Sequence, residues 1–174
     1  QAMQFGMRDK QANGQDFQIV LPLVSDLMAK GAGEAIKGVY GTANWDWQLG
    51  DEASKALTKS FGAKYGQPPS QIAQTSYAQV LLYADAVERA GTFYPPEVIK
   101  ALEDYDFDGL GNGPTTYRGS DHQCFKEIYA VKGKDAPANP FDLLEVVATA
   151  SKESVTYDPA IFGGELGPDT AVAC

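Results

Sequence analysis

The sequence predicts an α/β fold with a mostly parallel sheet, and three observations carry that prediction. Two short apolar runs, FQIVLPLV (17–24) and VYGTANW (39–45), are rich in strand-forming residues and too short for typical helices. The helical stretch SDLMAKGAGEAIKG lies between them with short connections on both sides, the alternation that builds parallel sheets. A hydrophobic fraction of 44% over 174 residues is enough for an ordinary domain with a core, and excludes a disordered or fibrous chain.

Taken in order, residues 1–12 read as the later part of a helix that Asn13-Gly14 ends. FQIVLPLV reads as a buried strand. SDLMAKGAGEAIKG follows as a short helix or two helical turns, with Ser25 or Asp26 as N-cap. VYGTANW is the next strand or extended segment.

The middle of the chain is helical. DEASKALTKSFGAKYG has Asp51 as its cap, sets Ala53, Leu57, Phe61 and Tyr65 at four-residue spacing, and stops at Gly66 before Pro68-Pro69. SQIAQTSYAQVLLYADAVERAG runs from a Ser70 cap to Gly91, and the expected inward stripe is Ala73, Tyr77, Leu81 and Ala84 with Val80 and Val87. A third helix opens on Pro95-Pro96 and turns Val98, Ile99 and Leu102 inward.

LGNGPTTYRGSDHQCFKEIYAVKG reads as a hairpin with RGSD at its turn and Phe125, Ile128, Tyr129 and Val131 as strand formers. The last 40 residues, rich in Pro and Gly around FDLLEVVATA, read as a wandering tail.

Charge and composition narrow the function. A net charge of −9 and pI near 4.5 argue against nucleic acid or an anionic membrane surface as partner. No apolar run reaches the ~20 residues of a membrane span. The chain begins at Gln1 with no signal peptide, which reads as a processed or truncated product.

Candidate chemistry is sparse. EDYDFDG starts like a calcium loop, but its twelfth position, counted from Asp104, holds Thr115 where a bidentate Glu is needed. GLGNGP has neither a strand before it nor a helix after it, so it is no dinucleotide loop. His122, the single histidine, makes no zinc set with Cys124, and no serine sits in a G-x-S-x-G setting to make it a hydrolase base. Trp45-Asp46-Trp47 stands out: two indoles around a carboxylate are either core plugs or the lip of a ligand cleft. Cys124 and Cys174 are either two free thiols or one bridge.

Five motifs occur together in order: the strand ending in Pro22, GAGEAIKGVY, FGAKYGQPP, SYAQVLLYADAVERAG, and DHQC ahead of a strand. Over about residues 1–134 the chain therefore resembles the periplasmic solute-binding proteins of ABC transporters, in the branched-chain amino-acid (Leu/Ile/Val) type. The resemblance implies a two-lobed type I periplasmic-binding-protein fold, each lobe a doubly wound, mostly parallel sheet, closing over a small solute by a hinge. It implies that the chain is an incomplete C-terminal part whose N-terminal half is missing. Residues 1–44 would belong to the second lobe, 45–115 to the first, and 116–174 to the second again with the C-terminal tail. EDYDFDG becomes the link between lobes.

Partners implied are a small-molecule solute (an amino acid or related carboxylate or amide), a membrane permease, and the missing N-terminal half of the same protein. Cofactors, catalysis and nucleic acid are not implied. A sensory domain of the same fold is the alternative, and a hydrolase a distant third.

By position, the resemblance places the ligand at Leu23, Val24, Ser25 and Asp26, at Trp45 and Trp47, and at Gln74 and Tyr77. The family carries an acidic residue at the position of Leu23 to hold the solute's ammonium; the apolar residue here leaves Asp26 as its substitute. Tyr77 is expected to pack in the lobe rather than face the ligand. An oxidising periplasm favours a Cys124–Cys174 disulfide, which would close a loop of about 50 residues and restrict the unfolded chain by roughly 4 kcal/mol.

Overall fold

In the computed structural model, residues 1–14 and 17–162 are described. They divide into two compact units: Gln1–Thr75 with Ile128–Ala150, and Ser76–Glu127 with the residues from Ser151 onward. The lobe boundaries expected above divide the chain elsewhere, at 44/45 and 115/116.

The first unit is built on a four-stranded sheet of β1 (Val20–Leu21), β2 (Tyr40–Ala43), β6 (Ile128–Gly133) and β7 (Leu144–Ala150), in that order. Its helix α1 (Ala2–Asn13) ends at Gly14, whose φ of 62° is the left-handed cap that glycine adopts without strain. β1 (Val20–Leu21) runs parallel to β2 (Tyr40–Ala43). Between them stand α2 (Asp26–Ala32) and a 3₁₀ turn, Gly33–Ile36. β6 (Ile128–Gly133) pairs antiparallel with β2, and β7 (Leu144–Ala150) antiparallel with β6. The parallel content expected of the sheet is thus confined to β1–β2. β6 and β7 follow one another across a short loop, which joins only antiparallel neighbours.

Two strand expectations need correction here. The 17–24 run is not one buried strand: only Val20–Leu21 joins the ladder, and Val20, on the sheet's edge, is 69% exposed. Pro22 lacks an N–H and ends the pairing, although its carbonyl accepts from the Thr42 hydroxyl and Val24 N–H still reaches Thr42 O at 2.8 Å. The tail, in turn, is not structureless, since LEVVATA is β7. Its Pro/Gly-rich flanks hid a segment that pairs with a strand more than ten residues earlier.

The core of this unit is Val24, Ala29, Ile36, Val39, Ala43, Tyr129, Val131 and Leu144, closed under α2. α3 (Glu52–Tyr65) has the expected Asp51 cap, which accepts from Ser54 N–H at 2.8 Å, and the expected Gly66 stop. α4 (Gln71–Ala90) begins in this unit and continues into the second.

The second unit contains the rest of α4, α5 (Pro95–Leu102) and a three-stranded antiparallel sheet, β3 (Asp106–Asp108), β4 (Pro114–Tyr117) and β5 (Cys124–Phe125). A short helix, α6 (Lys152–Val155), follows. Val98 of α5 is buried and Ile99 and Leu102 are half-buried, as expected.

The α4 stripe differs from expectation. Leu82 and Ala86 are buried with half-buried Ala78, whereas Tyr77, Val80, Leu81 and Ala84 are exposed. Both arcs of this helix are apolar, so periodicity alone does not choose between them. Tyr77 is 47% exposed rather than packed.

The three alternating aspartates hold the β3 region together. Asp104 Oδ1 accepts from Gly119 N–H at 2.8 Å, Asp106 binds Lys152 Nζ at 2.5 Å, and Asp108 Oδ1 accepts from Leu110 N–H at 3.0 Å. Asp104 (φ 53°), Leu110 (φ 52°) and His122 (φ 55°) take left-handed backbone at the turns on either side.

Candidate solute-binding cleft

The first unit carries a cleft of about 130 Å³ whose walls come from α2 (Asp26, Leu27, Lys30), Trp47, Phe61 of α3, the 67–70 linker and the loop before β7 (Pro140, Phe141, Leu143). How each side chain arrives there can be followed from local rules.

Ser25 settles the capping question at α2. Its hydroxyl accepts from Met28 N–H at 3.2 Å, so Asp26 is released from that task and sits in the first helical turn, where a negative charge is favoured. Asp26 Oδ2 then accepts from Gln71 N–H at 3.0 Å, at the start of α4. The Gln71 side chain accepts from Asn44 N–H at 3.0 Å, which ties the exit of β2 to the same point. Burial pushes the Asp26 carboxyl above its ordinary range, against the pull of the Gln71 bond.

The WDW segment splits its three side chains between two tasks. Trp45 is 1% exposed and donates its indole N–H to Ser54 Oγ at 2.9 Å, so it is a core plug. Trp47 is half-buried on the cleft wall and donates to Phe141 O at 3.4 Å, while its carbonyl accepts from Thr58. Asp46 between them is buried, accepts from Gln48 N–H at 2.8 Å, and is pushed up to about 6, chiefly by loss of water, with Asp26 and Asp142 adding repulsion and Lys134 opposing it. Lys134 in turn pairs with Asp142 and donates to Gln48 Oε1 at 3.2 Å, and Asp142 Oδ2 accepts from Ala138 N–H at 3.0 Å.

Of the expected ligand-facing residues, the structure brings Asp26 and Trp47 together in this cleft. Leu23 is 46% exposed on the way out of β1, Val24 lies in the core, and Ser25 is the helix cap. Gln74 is 1% exposed and its Oε1 accepts from the Thr75 hydroxyl at 3.4 Å. Tyr77 stands in the second unit. Cys124 is on β5, and its expected disulfide partner, Cys174, lies outside the described residues.

Lys30, Phe61 and Phe141 were not legible from sequence as cleft residues. Lys30 had a usable signal, since it follows Asp26 by four residues and so shares its helix face. Its ammonium lies 5.6 Å from the Phe141 ring centroid, a cation–π distance. Phe141 has no such signal, being 94 residues from the indole it meets. The arrangement is an aromatic, proline-lined hollow with one carboxylate and one ammonium on adjacent turns. It suits a small molecule with an apolar body and opposite charges.

Among the described residues no group of three or more His, Cys, Asp or Glu side chains is placed to hold a metal ion. No described helix is long and apolar enough to cross a membrane.

Residues 1–138 match the model of the periplasmic binding protein family, and the chain belongs to that family. A search of curated proteins gives no match. Among solved structures it is similar to an amino acid ABC transporter substrate-binding protein from Pseudomonas fluorescens Pf-5, at 25% identity and a TM-score of 0.77 over 95% of this chain. It is also similar to a branched-chain amino acid ABC transporter periplasmic ligand-binding protein from Burkholderia xenovorans LB400, at 25% identity and 0.72 over 85%. A periplasmic binding protein from Burkholderia mallei shares the fold at 24% identity and 0.73 over 90%. The chain spans 43%, 41% and 41% of those three chains, respectively. The fold is accordingly a mixed α/β portion of the type I periplasmic-binding-protein fold.

Proposed function

We propose that this chain is part of the substrate-binding component of an ABC transporter. It captures a small polar solute, an amino acid or a related carboxylate or amide, in the periplasm by hinge closure and delivers it to a membrane permease. The observation that carries this reading is the cleft that sets Asp26 and Lys30 on adjacent turns of α2 beside aromatic side chains, in a chain belonging to the periplasmic binding protein family. Asp26 holds the solute's ammonium in place of the acidic residue that Leu23 does not supply. Lys30 faces its carboxylate, and Trp47 and Phe61 cover its apolar part. The assignment of residues 1–44 and 116–174 to one closing lobe and 45–115 to the other belongs to the same proposal.

The test is native mass spectrometry of the full-length protein for a co-purified solute, followed by a thermal-shift panel of amino acids and small carboxylates. A ligand at 100 times its dissociation constant adds about 2.7 kcal/mol of stability. Asp26→Asn should weaken binding of an ammonium-bearing ligand by about tenfold to a hundredfold, the scale of one charge-assisted hydrogen bond. A panel without any stabilising solute, or steady turnover of esters or amides lost on His122→Ala, overturns the reading.

A further inference from the structure

The walls of the cleft offer a cation more than they offer an N–H donor. Trp47, Phe61 and Phe141 are all half-buried on them, joined by Pro68, Pro69 and Pro140. The face of an aromatic ring is negative and attracts a positive charge within about 6 Å of its centroid. Phe141 already does so, since the Lys30 ammonium lies 5.6 Å from its centroid. Acceptors on the same walls are largely engaged. Asp26 Oδ2 accepts from Gln71 N–H at 3.0 Å, Ser70 Oγ from Ala73 N–H at 3.2 Å, and Phe141 O from the Trp47 indole at 3.4 Å. A primary ammonium brings three N–H donors, and each costs free energy when it is buried without an acceptor. An ammonium that carries methyl groups brings one donor or none, and its methyls suit an apolar wall.

We propose that the solute of this cleft is a small zwitterion whose ammonium is N-methylated. Its methyl groups lie against Trp47, Phe61 and Phe141, with the Asp26 carboxylate beside the charge. Lys30 leaves the Phe141 ring and pairs with the solute's carboxylate. Two other occupants fit less well. A primary amino acid asks for acceptors that the walls have already committed. A methylated cation with no carboxylate sets its charge against Lys30 and gives that ammonium nothing in return. The inference rests on the solute-capture reading above and narrows it to one class of ammonium.

Isothermal titration calorimetry of the full-length protein tests it with trimethylglycine, dimethylglycine, L-leucine and tert-butylacetic acid. The last has the shape of trimethylglycine with carbon in place of nitrogen, so it reports size without the charge. At least one methylated glycine should bind about tenfold or more tightly than L-leucine and tert-butylacetic acid, the scale of a cation–π contact shielded from water. Phe141→Leu keeps an apolar side chain and removes the ring. It should weaken the methylated glycine by about tenfold and tert-butylacetic acid by less than about twofold. Phe61→Leu makes the same comparison should Phe141→Leu fail to fold. L-leucine bound as tightly as both methylated glycines overturns the inference and leaves solute capture standing. Equal affinity for tert-butylacetic acid, or equal losses for both solutes on removing the ring, overturns it in the same way. Failure of all four to bind overturns it too, and if the thermal-shift panel is also silent, solute capture falls with it.

Discussion

Asp46 is the residue whose environment most changes its chemistry. It is 2% exposed, and the groups around it are Asp26 on α2, Lys134 and Asp142 from the β6–β7 connection, and its own Gln48 N–H. Its carboxyl, raised from 3.8 to about 6, binds a proton more tightly folded than unfolded. Its contribution to stability is therefore fully present below pH 3.8 and is lost as pH rises through about 6. A rise of that size is worth about 3 kcal/mol. Asp46→Asn keeps an oxygen for Gln48 N–H and removes the titration. The variant should gain up to about 3 kcal/mol over the parent at pH 7.5 and almost nothing at pH 3. Because Asp106, Asp121 and Asp142 are shifted downward by their Lys or Arg partners and act in the opposite sense, the quantity to follow is the difference between the two proteins in denaturant unfolding. A constant difference across that range would remove the assignment. Ser54 offers a second residue-level test: it is fully buried beneath the Trp45 indole, and Ser54→Ala leaves that N–H without its acceptor. The expected cost is about 1–3 kcal/mol, accompanied by altered tryptophan emission.

At the scale of elements, the tightest approach found at a glycine among the described residues is between β6 and the 3₁₀ turn after α2. A methyl group on Gly133 would lie 1.8 Å from Ile36 O and 2.6 Å from Ile36 C, both backbone atoms that cannot rotate away. Gly133→Ala should therefore cost about 3 kcal/mol or more, whereas Gly50→Ala, with nothing within 4 Å, should leave the melting temperature nearly unchanged. Nothing in the sequence distinguishes those two glycines, because the clash is with a segment almost 100 positions away. The same divide explains what was legible and what was not. Helix ends follow from chemistry within a few residues, so Ser25, Asp51, Gly66 and Gly14 were readable as caps and stops. The turn around 118–123 was readable for the same reason, but only Cys124–Phe125 returns along β4; Ile128, Tyr129 and Val131, expected in the same hairpin, belong to β6 in the other sheet. β7 and the covered arc of α4 depend on partners distant in sequence, and local pattern could not supply them. The cleft was half legible: the Asp26 carboxylate and the Trp47 indole stood out by type, while Phe141 enters only through the β6–β7 loop.

For the whole molecule, the central question is whether binding and closure are separable steps. In the proposed receptor, a solute shifts the protein toward a closed form only through its greater affinity for that form. If Asp26 supplies affinity, as proposed, its loss should reduce occupancy without changing the geometry of the closed state. Small-angle scattering of the full-length protein with a solute found in the panel should then show a smaller radius of gyration at saturation. Asp26→Asn should reach the same final radius at about tenfold to a hundredfold higher solute concentration. If the variant saturates thermally yet keeps the larger radius, Asp26 belongs to the closing motion itself and not to solute capture. If the parent protein saturates with no change of radius, capture proceeds without closure, and the hinge assignment of residues 1–44, 45–115 and 116–174 is lost while the family membership stands.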